Sequence, residues 1–333
     1  ASYWNARIAP ERSAAELFKG DEKTAGKLRG QGVTLVLSLP TRGIICGTGA
    51  LVTTGEGPGN EVLIQSDVAL AIRYQTAGHG DQSYPGSLMG AVALLRQSML
   101  DADWYTRAQA AWTADPTFAR PEANESMVRL SGLREAGVPL FFFVDDETGW
   151  LRSARLAQEF GLPAVIRGSN HEYRRLEAIK SAGLPVILPL DFPETPSVKT
   201  PEEALDVSLS ELRHWYLAPE NASRLHAADV ALAFTGDGLE DQGKFLEAVR
   251  KTVTRGLPAD AALAALTTVP AQIVNRSDRF GRIRAGGAAN LVVTDGDLFA
   301  RETKLLSTWV DGRRYEVTAE PHVDPRGTCL LYT

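Results

Sequence analysis

The feature of this sequence that most limits its fold is an alternation of short apolar runs with longer amphipathic segments between residues 140 and 266. Each apolar run has the length of a buried strand, and the segments between them have helical periodicity. Several predicted helices end at a glycine, the usual residue just past a helix C-terminus. Repeated strand–helix units predict an α/β fold with a parallel sheet and outer helices. The predicted strands are Leu140–Val144, Ala164–Ile166, Val186–Leu188 and Val230–Phe234.

A fifth buried parallel strand is predicted at Val33–Leu39, a continuous apolar run that ends at Pro40. A (β/α)8 barrel needs eight such strands, and the short segments Ala50–Thr53 and Val62–Ile64 supply one more at most. The sequence therefore predicts an incomplete or distorted TIM-like (β/α) barrel. We expect the first strand to lie upstream of Ala1, in a longer polypeptide.

The sequence changes character after Val274, where short strand candidates are joined by tight turns. Asp311-Gly312 is a two-residue hairpin signal within this part. We therefore predict two domains, a barrel portion at 1–274 and a small β-sandwich portion at 275–333. The strand candidates of the second domain are Gly281–Arg284, Leu291–Thr294, Ser307–Val310 and Arg313–Val317.

Composition excludes some classes of partner. The net charge of −6 gives no sign of a nucleic-acid-binding surface. No apolar run approaches the roughly 20 residues that span a bilayer, so no membrane span is predicted. The two cysteines, Cys46 and Cys329, lie far apart in the sequence and do not have the spacing of a metal site.

Two neighbouring segments near the end of the chain carry a family resemblance. Residues 264–271 read AALTTVPA, and residues 279–297 read RFGRIRAGGAANLVVTDGD. Together they resemble the tail of the amidohydrolase superfamily, in its imidazolonepropionase-like branch, where a similar stretch links the last barrel helix to a small β-sandwich. The resemblance implies metal ligands at the carboxyl ends of the barrel strands: a His-x-His pair, often a carboxylated lysine, two later histidines and an aspartate on the last strand.

The residues at the matching positions are mostly unable to bind a metal. No two of the five histidines have the His-x-His spacing. Thr53 stands where some relatives place the lysine, Phe143 and Asp145 stand at two histidine positions, and Gly168 stands at a third. Asp237 matches the aspartate of the last strand. Because a catalytic zinc usually takes three protein ligands, the resemblance implies a copy whose metal site is degenerate.

Four residues are candidates for a functional site, and each also has a structural interpretation. Asp237 is the candidate catalytic residue, but an aspartate before a glycine is also common in turns. Asp145 and Asp146 are candidate pocket residues that are equally placed to cap the following helix. His171 is a candidate pocket residue at a helix start. The loop 77–85, which contains His79 and Asp81, is a possible binding lip.

Three functions remain open at this stage. The first is a non-catalytic amidohydrolase-like scaffold or interaction half of a larger hydrolase, without a cofactor, beside another amidohydrolase domain or in a homo-oligomer. The segments Tyr3–Arg7 and Pro10–Glu16 resemble the degenerate copy of large secreted tandem amidohydrolases, which implies a periplasmic or secreted location. The second is a hydrolase of an amide, peptide or cyclic amide bond, with zinc in an atypical centre and Asp237 as metal ligand and general base. The third is a peptide or glycan binding module.

Overall fold

The computed structural model describes residues 2–78 and 83–317. A six-stranded sheet forms the centre, and two three-stranded antiparallel sheets accompany it. The strands, numbered in chain order, are β1 Leu35–Ser38, β2 Ile45–Thr48, β3 Ala50–Thr53, β4 Leu63–Gln65, β5 Leu70–Arg73, β6 Leu140–Phe143, β7 Ala164–Arg167, β8 Val186–Pro189, β9 Leu232–Thr235, β10 Leu291–Thr294, β11 Leu305–Val310 and β12 Arg313–Glu316.

Helices connect most of these strands. They are α1 Ala14–Leu17, α2 Glu22–Gly30, α3 Gly59–Val62, α4 Leu88–Ala114, α5 Glu125–Glu135, α6 Glu147–Glu159, α7 Leu176–Ala182, α8 Pro201–Asp206, α9 Leu209–Leu217, α10 Asn221–Ala227, α11 Phe245–Thr254, α12 Ala259–Leu266 and α13 Thr268–Ile273. Short 3₁₀ turns at Glu172–Arg175, Ala218–Glu220 and Gln242–Lys244 precede α7, α10 and α11.

The central sheet has the order β2-β5-β6-β7-β8-β9. β5 to β9 are mutually parallel, and β2 pairs antiparallel with β5 at one edge. The predicted α/β fold with a parallel sheet is therefore confirmed, and the sheet is open rather than a closed barrel. The four strands predicted between residues 140 and 235 are present as β6 to β9.

The prediction of a parallel strand at Val33–Leu39 was wrong. β1 pairs antiparallel with β3 in a separate sheet, and β4 is the third strand of that sheet. Leu37 and Leu39 pack against one face of the central sheet, which explains why this run is so apolar. The fifth parallel strand is instead β5, which sequence reasoning missed. It has only four residues and follows the left-handed turn at Asp67 (φ 56°).

Two long predicted helices are each divided in the structure. With Ser13 as a cap, the sequence pattern predicts one helix up to Arg29, but the chain breaks at Gly20, whose φ is +64° and therefore suits glycine. Ser13 makes no capping bond, and Asp21 instead accepts backbone hydrogen bonds at the start of α2. The sequence also predicts one helix over Pro201–Tyr216, and the structure divides it into α8 and α9, where Ser208 and Glu211 form a capping box at the start of α9.

The two faces of the central sheet pack differently. Leu140 and Phe142 of β6 point toward the helices, in the large core with Trp150 of α6. Phe141 and Val165 point to the opposite face, which we call the inner face, in a small cluster with Leu37, Leu39 and Ile273 packed against it. Complete burial of a large apolar side chain contributes roughly 1.5–3 kcal/mol, so the helix-facing side supplies most of the apolar stabilisation.

The C-terminal sheet has the order β10-β11-β12 and is antiparallel throughout. Its hairpin turns at Asp311 (φ 48°) and Gly312 (φ 84°), as the Asp-Gly pair predicts. The strand predicted at Gly281–Arg284 is absent from the described residues, whose backbone is bent and irregular there. A Cβ at Gly281 would lie 2.8 Å from the carbonyl oxygen of Thr267, so glycine is required at this close approach. The domain boundary after residue 274 stays a prediction.

Candidate functional site

The carboxyl ends of β5 to β9 meet along one edge of the central sheet. Arg73, Phe143 and Arg167 are direct neighbours in the strand register and follow one another across β5, β6 and β7. Side chains alternate between the two faces of a strand, and Phe141 and Val165 lie on the inner face. Phe143 and Arg167 lie two positions after Phe141 and Val165, so they share the inner face. Arg73 is the register partner of Phe143 and lies on the same face. We call Arg73, Phe143 and Arg167 the strand-end row.

Arg73 packs on Phe143 within this row. Its guanidinium carbon lies 4.3 Å from the ring centroid, which is a cation–π contact. Among the described residues, no carboxylate forms an ion pair with Arg73, and its Nε is buried without a hydrogen-bond partner. This part of the edge therefore has a positive charge supported by an aromatic ring.

Arg167 binds the aspartate that was predicted to be catalytic. One guanidinium nitrogen lies 3.0 Å from Oδ2 of Asp237, and it also donates to the Asp237 carbonyl oxygen at 3.3 Å. The other terminal nitrogen donates to the Gly168 carbonyl oxygen at 3.0 Å. The side chain of Arg167 is 16% exposed and that of Asp237 is 53% exposed. The strand-end aspartate is thus paired with a largely buried cation.

Asp191 is a second carboxylate at this edge, and sequence reasoning missed it. Pro189 at the end of β8 and Thr235 at the end of β9 are register partners. Asp191 comes two residues after Pro189, and Asp237 comes two residues after Thr235. A Cβ at Gly238 would lie 2.3 Å from Oδ2 of Asp191, which places this carboxylate directly against the residue after Asp237. Burial raises the pKa of Asp191, Arg167 opposes that rise and Asp237 adds to it. The equal offset from neighbouring strand ends is the signal that could have found Asp191.

The two acidic pocket candidates after β6 lie in different settings. Oδ1 of Asp146 accepts a hydrogen bond from the Gly149 backbone at 2.5 Å and caps α6. Asp145 is exposed, next to that cap. Asp146 therefore has the structural role weighed above, because its oxygen satisfies a free backbone N–H at the start of α6.

His171 belongs to a cluster of aromatic side chains after β7. Its ring stacks on His214 with centroids 3.8 Å apart and planes 8° apart, and its Nδ1 lies 3.0 Å from the Ser169 carbonyl oxygen. The hydroxyl oxygen of Tyr173 lies 3.3 Å from Nδ1 of His214. Burial, with the nearby charges of His171 and Arg174, lowers the pKa of His214 to about 4. The contact between these two histidines was not predicted.

Glu172 fills the space beside the histidine-equivalent position Gly168. It is fully buried and accepts hydrogen bonds from the Ser169 backbone at 2.7 Å and from Asn221 Nδ2 at 2.6 Å. A Cβ at Gly168 would lie 2.1 Å from Oε1 of Glu172. A histidine cannot occupy position 168 unless Glu172 moves.

The residues at this edge do not fit the hydrolytic metal centre that the resemblance implies. Phe143 has no atom that can bind a metal. The carboxylate of Glu172 fills the space in which a side chain at position 168 would lie, and Asp237 forms an ion pair with Arg167. Thr53 lies in the separate sheet of β1, β3 and β4, where its hydroxyl accepts from the Gly55 backbone at 3.1 Å.

Within residues 2–78 and 83–317, no three His, Cys, Asp or Glu side chains are grouped to hold a metal ion. His79 and Asp81 of the possible binding lip, and Cys329, lie outside the described residues. No helix in the described ranges is long and apolar enough to cross a membrane.

Two surface cavities lie away from the strand-end row. One of about 570 Å³ lies between α4 and α5 and is lined in part by Leu100, Arg107 and Ser131. The other, of about 300 Å³, lies at the amino ends of β8 and β9 and is lined in part by Pro185 and Ala231. Sites in parallel α/β sheets are built at the carboxyl ends of the strands, so neither cavity replaces the edge as the candidate site.

Comparison with known proteins gives a family for part of the chain and a fold for most of it. Residues 220–315 match the amidohydrolase family. A 57-residue segment is 42% identical to the amidohydrolase tasK of Hapsidospora irregularis, and this segment is 17% of the chain and only 6% of that relative. An amidohydrolase from Thermotoga maritima MSB8 aligns with a TM-score of 0.77 and 19% identity over 94% of this chain and 79% of its own. Residues 220–315 are therefore similar to the amidohydrolase family, and the chain shares its fold with the Thermotoga maritima protein over most of its length.

Proposed function

We propose that this chain is a non-catalytic amidohydrolase-like module, the scaffold and interaction half of a larger hydrolase. The observation that carries the proposal is the strand-end row Arg73, Phe143 and Arg167, which crosses the inner face where hydrolysis would need metal ligands. The row presents two guanidinium groups and an aromatic ring. Like charges repel, so two fixed cations disfavour a divalent ion at this position.

The proposal also follows from what amide hydrolysis requires. In metal-dependent hydrolysis, the ion brings the pKa of a bound water to about 7 and polarises the scissile carbonyl. The side chains of the strand-end row donate hydrogen bonds or pack, and they offer no ligand for such an ion. Asp237, the remaining candidate base, is held by Arg167 at 3.0 Å.

The segment after β8 supports the interaction half of the proposal. α8 and α9 have no fully buried side chain, and Leu205 is 86% and Leu209 62% exposed. Exposed apolar side chains grouped in this way mark contact surfaces. The partner we propose is another amidohydrolase domain, with a homo-oligomer as the alternative, in a periplasmic or secreted setting.

One observation favours a competing function, hydrolysis of a C–N bond in an atypical zinc centre. The carboxylate of Asp237 lies just after β9 and is 53% exposed, so solvent and a substrate can reach it. This function would require Arg167 to leave Asp237 when a metal binds. A peptide or glycan binding module is a third outcome that the same purified protein can test.

The deciding experiment measures bound metal and amide hydrolysis with the same preparation. Purified wild type, Asp237→Asn and the matched control Glu240→Gln, an exposed neighbour, are examined for stoichiometric metal and for cleavage of dipeptides and cyclic amides. We expect neither metal nor cleavage in any of the three. Stoichiometric zinc or manganese that is lost only in Asp237→Asn, together with cleavage that a chelator stops, would establish the hydrolase. Thermal stabilisation by peptides or glycans would favour the binding module.

A further inference from the structure

We infer that Arg167 is the resident cation of the strand-end site, a side chain that supplies positive charge to Asp191 and Asp237 in place of a divalent ion. The inference goes beyond the proposed function, because it assigns the source of charge at this edge and predicts a latent cation site in the same residues. It is drawn from the oxygen atoms around one guanidinium group and from the position of a second carboxylate.

The guanidinium of Arg167 is surrounded by oxygen atoms of the kind that hard cations bind. Oδ2 of Asp237 lies at 3.0 Å, the Asp237 carbonyl oxygen at 3.3 Å and the Gly168 carbonyl oxygen at 3.0 Å. Carboxylate and carbonyl oxygens are the ligands preferred by Mg²⁺, Ca²⁺ and Mn²⁺. A positive group therefore already occupies an oxygen-lined position at the ends of β7 and β9.

Asp191 places a second carboxylate beside this position, against the residue that follows Asp237. It packs against Gly238 and lies within the electrostatic reach of both Arg167 and Asp237, which act in opposite directions on its pKa. Two neighbouring carboxylates repel each other unless a cation lies close to both. Arg167 joins the ends of β7 and β9 through its ion pair with Asp237, and Asp191 lies beside them after β8.

Arg73 provides a matched control within the same strand-end row. It has the same side chain on the same face, two strands from Arg167, but it packs on Phe143 and has no carboxylate ion-pair partner among the described residues. If charge replacement by Arg167 is specific, removal of Arg73 leaves the Arg167–Asp237 ion pair in place. Removal of Arg167 takes from Asp237 the ion-pair partner that the described residues give it.

The inference predicts that loss of Arg167 creates a weak divalent cation site. Mn²⁺ is the probe of choice, because it accepts oxygen ligands and binding is followed by its electron paramagnetic resonance signal. A site with two carboxylates and carbonyl oxygens belongs with the weaker protein sites for hard cations, with a Kd of roughly 10⁻⁴ to 10⁻³ M. We expect wild type and Arg73→Ala to bind Mn²⁺ at least about tenfold more weakly than Arg167→Ala.

The experiment titrates chelator-treated protein with Mn²⁺ and follows both the free-ion signal and Tm. Arg167→Ala should bind one ion and gain Tm on binding, and Arg167→Ala/Asp237→Asn and Arg167→Ala/Asp191→Asn should lose both effects. Circular dichroism checks the folding of each variant. Arg167→Gln, which keeps most of the aliphatic stem, takes the place of Arg167→Ala if that variant unfolds.

Three results would overturn the inference. They are equal Mn²⁺ affinity in wild type and Arg167→Ala, binding by Arg167→Ala that survives both aspartate substitutions, and no binding by a folded Arg167 variant. The proposed function has a separate readout, because it is refuted by amide cleavage in the wild type. Each idea can therefore be rejected without the other.

Discussion

The two faces of the central sheet differ in how their side chains are used. On the helix-facing side, Leu140 and Phe142 belong to one continuous apolar core. On the inner face, apolar packing is limited to a small cluster around Phe141 and Val165, and the carboxyl edge above it ends in the arginines of the strand-end row. The helix-facing side supplies the larger of the two apolar clusters. The carboxyl edge above the inner face holds the candidate site, and similarity of fold does not determine what such a site does.

The test with the largest expected effect compares single alanine substitutions of two adjacent phenylalanines on β6. Phe142 is fully buried among the helices, so Phe142→Ala should lower the free energy of unfolding by about 3–5 kcal/mol. Phe143 is only partly buried in the strand-end row, so Phe143→Ala should lose less than half of that. Urea unfolding of the two variants measures the difference. Equal losses would show that the inner face is as important to stability as the helix-facing core.

The helix-facing strands could be predicted because their signal is local. β6, β7 and β8 are short apolar runs bounded by turns, and each is followed by an amphipathic segment that covers it. The run at Val33–Leu39 has the same local signal, but its pairing partner is the antiparallel β3. The residue pattern within one segment does not distinguish a strand that joins the parallel sheet from one that lies over its inner face.

The strand-end site could be predicted only in part. The family resemblance named Asp237 and the positions where Thr53, Phe143 and Gly168 differ from the family's ligands, since these are properties of single residues. The contact between Asp237 and Arg167 could not be predicted, because the two residues are 70 positions apart in the sequence. They come together only because β7, β8 and β9 are neighbours in the sheet. Asp191 was missed for the same reason. Contacts between strand ends depend on sheet order, which the sequence pattern does not specify.

A second test examines the edge itself at the histidine-equivalent glycine. In Gly168→Ala the new Cβ would lie 2.1 Å from Oε1 of Glu172, which is held by two hydrogen bonds. Overpacking of this kind costs about 1–3 kcal/mol, and the loss should be visible as a lower urea midpoint. Gly132→Ala is the matched control, because its Cβ meets nothing within 4 Å in the middle of α5, and it should be neutral or stabilising. A neutral Gly168→Ala would mean that Glu172 yields easily and that the histidine-equivalent position is not closed.

The smallest expected effect concerns the histidine pair after β7, beyond the strand-end row. The pKa of His214 is lowered to about 4, first by burial and then by His171 and Arg174, with Glu147 opposing them. A group whose folded pKa lies below its ordinary value near 6.5 takes up its proton more readily when unfolded, so stability should fall as the pH drops from about 6.5 towards 4. Because the ring is only partly buried and solvent screens these charges, we expect His214 to contribute less than about 1 kcal/mol. The measurement compares Tm at the two ends of this range for wild type and His214→Gln, with the exposed His226→Gln as the control. Only His214→Gln should flatten the pH dependence, and an unchanged slope in that variant would assign the acid sensitivity to other groups.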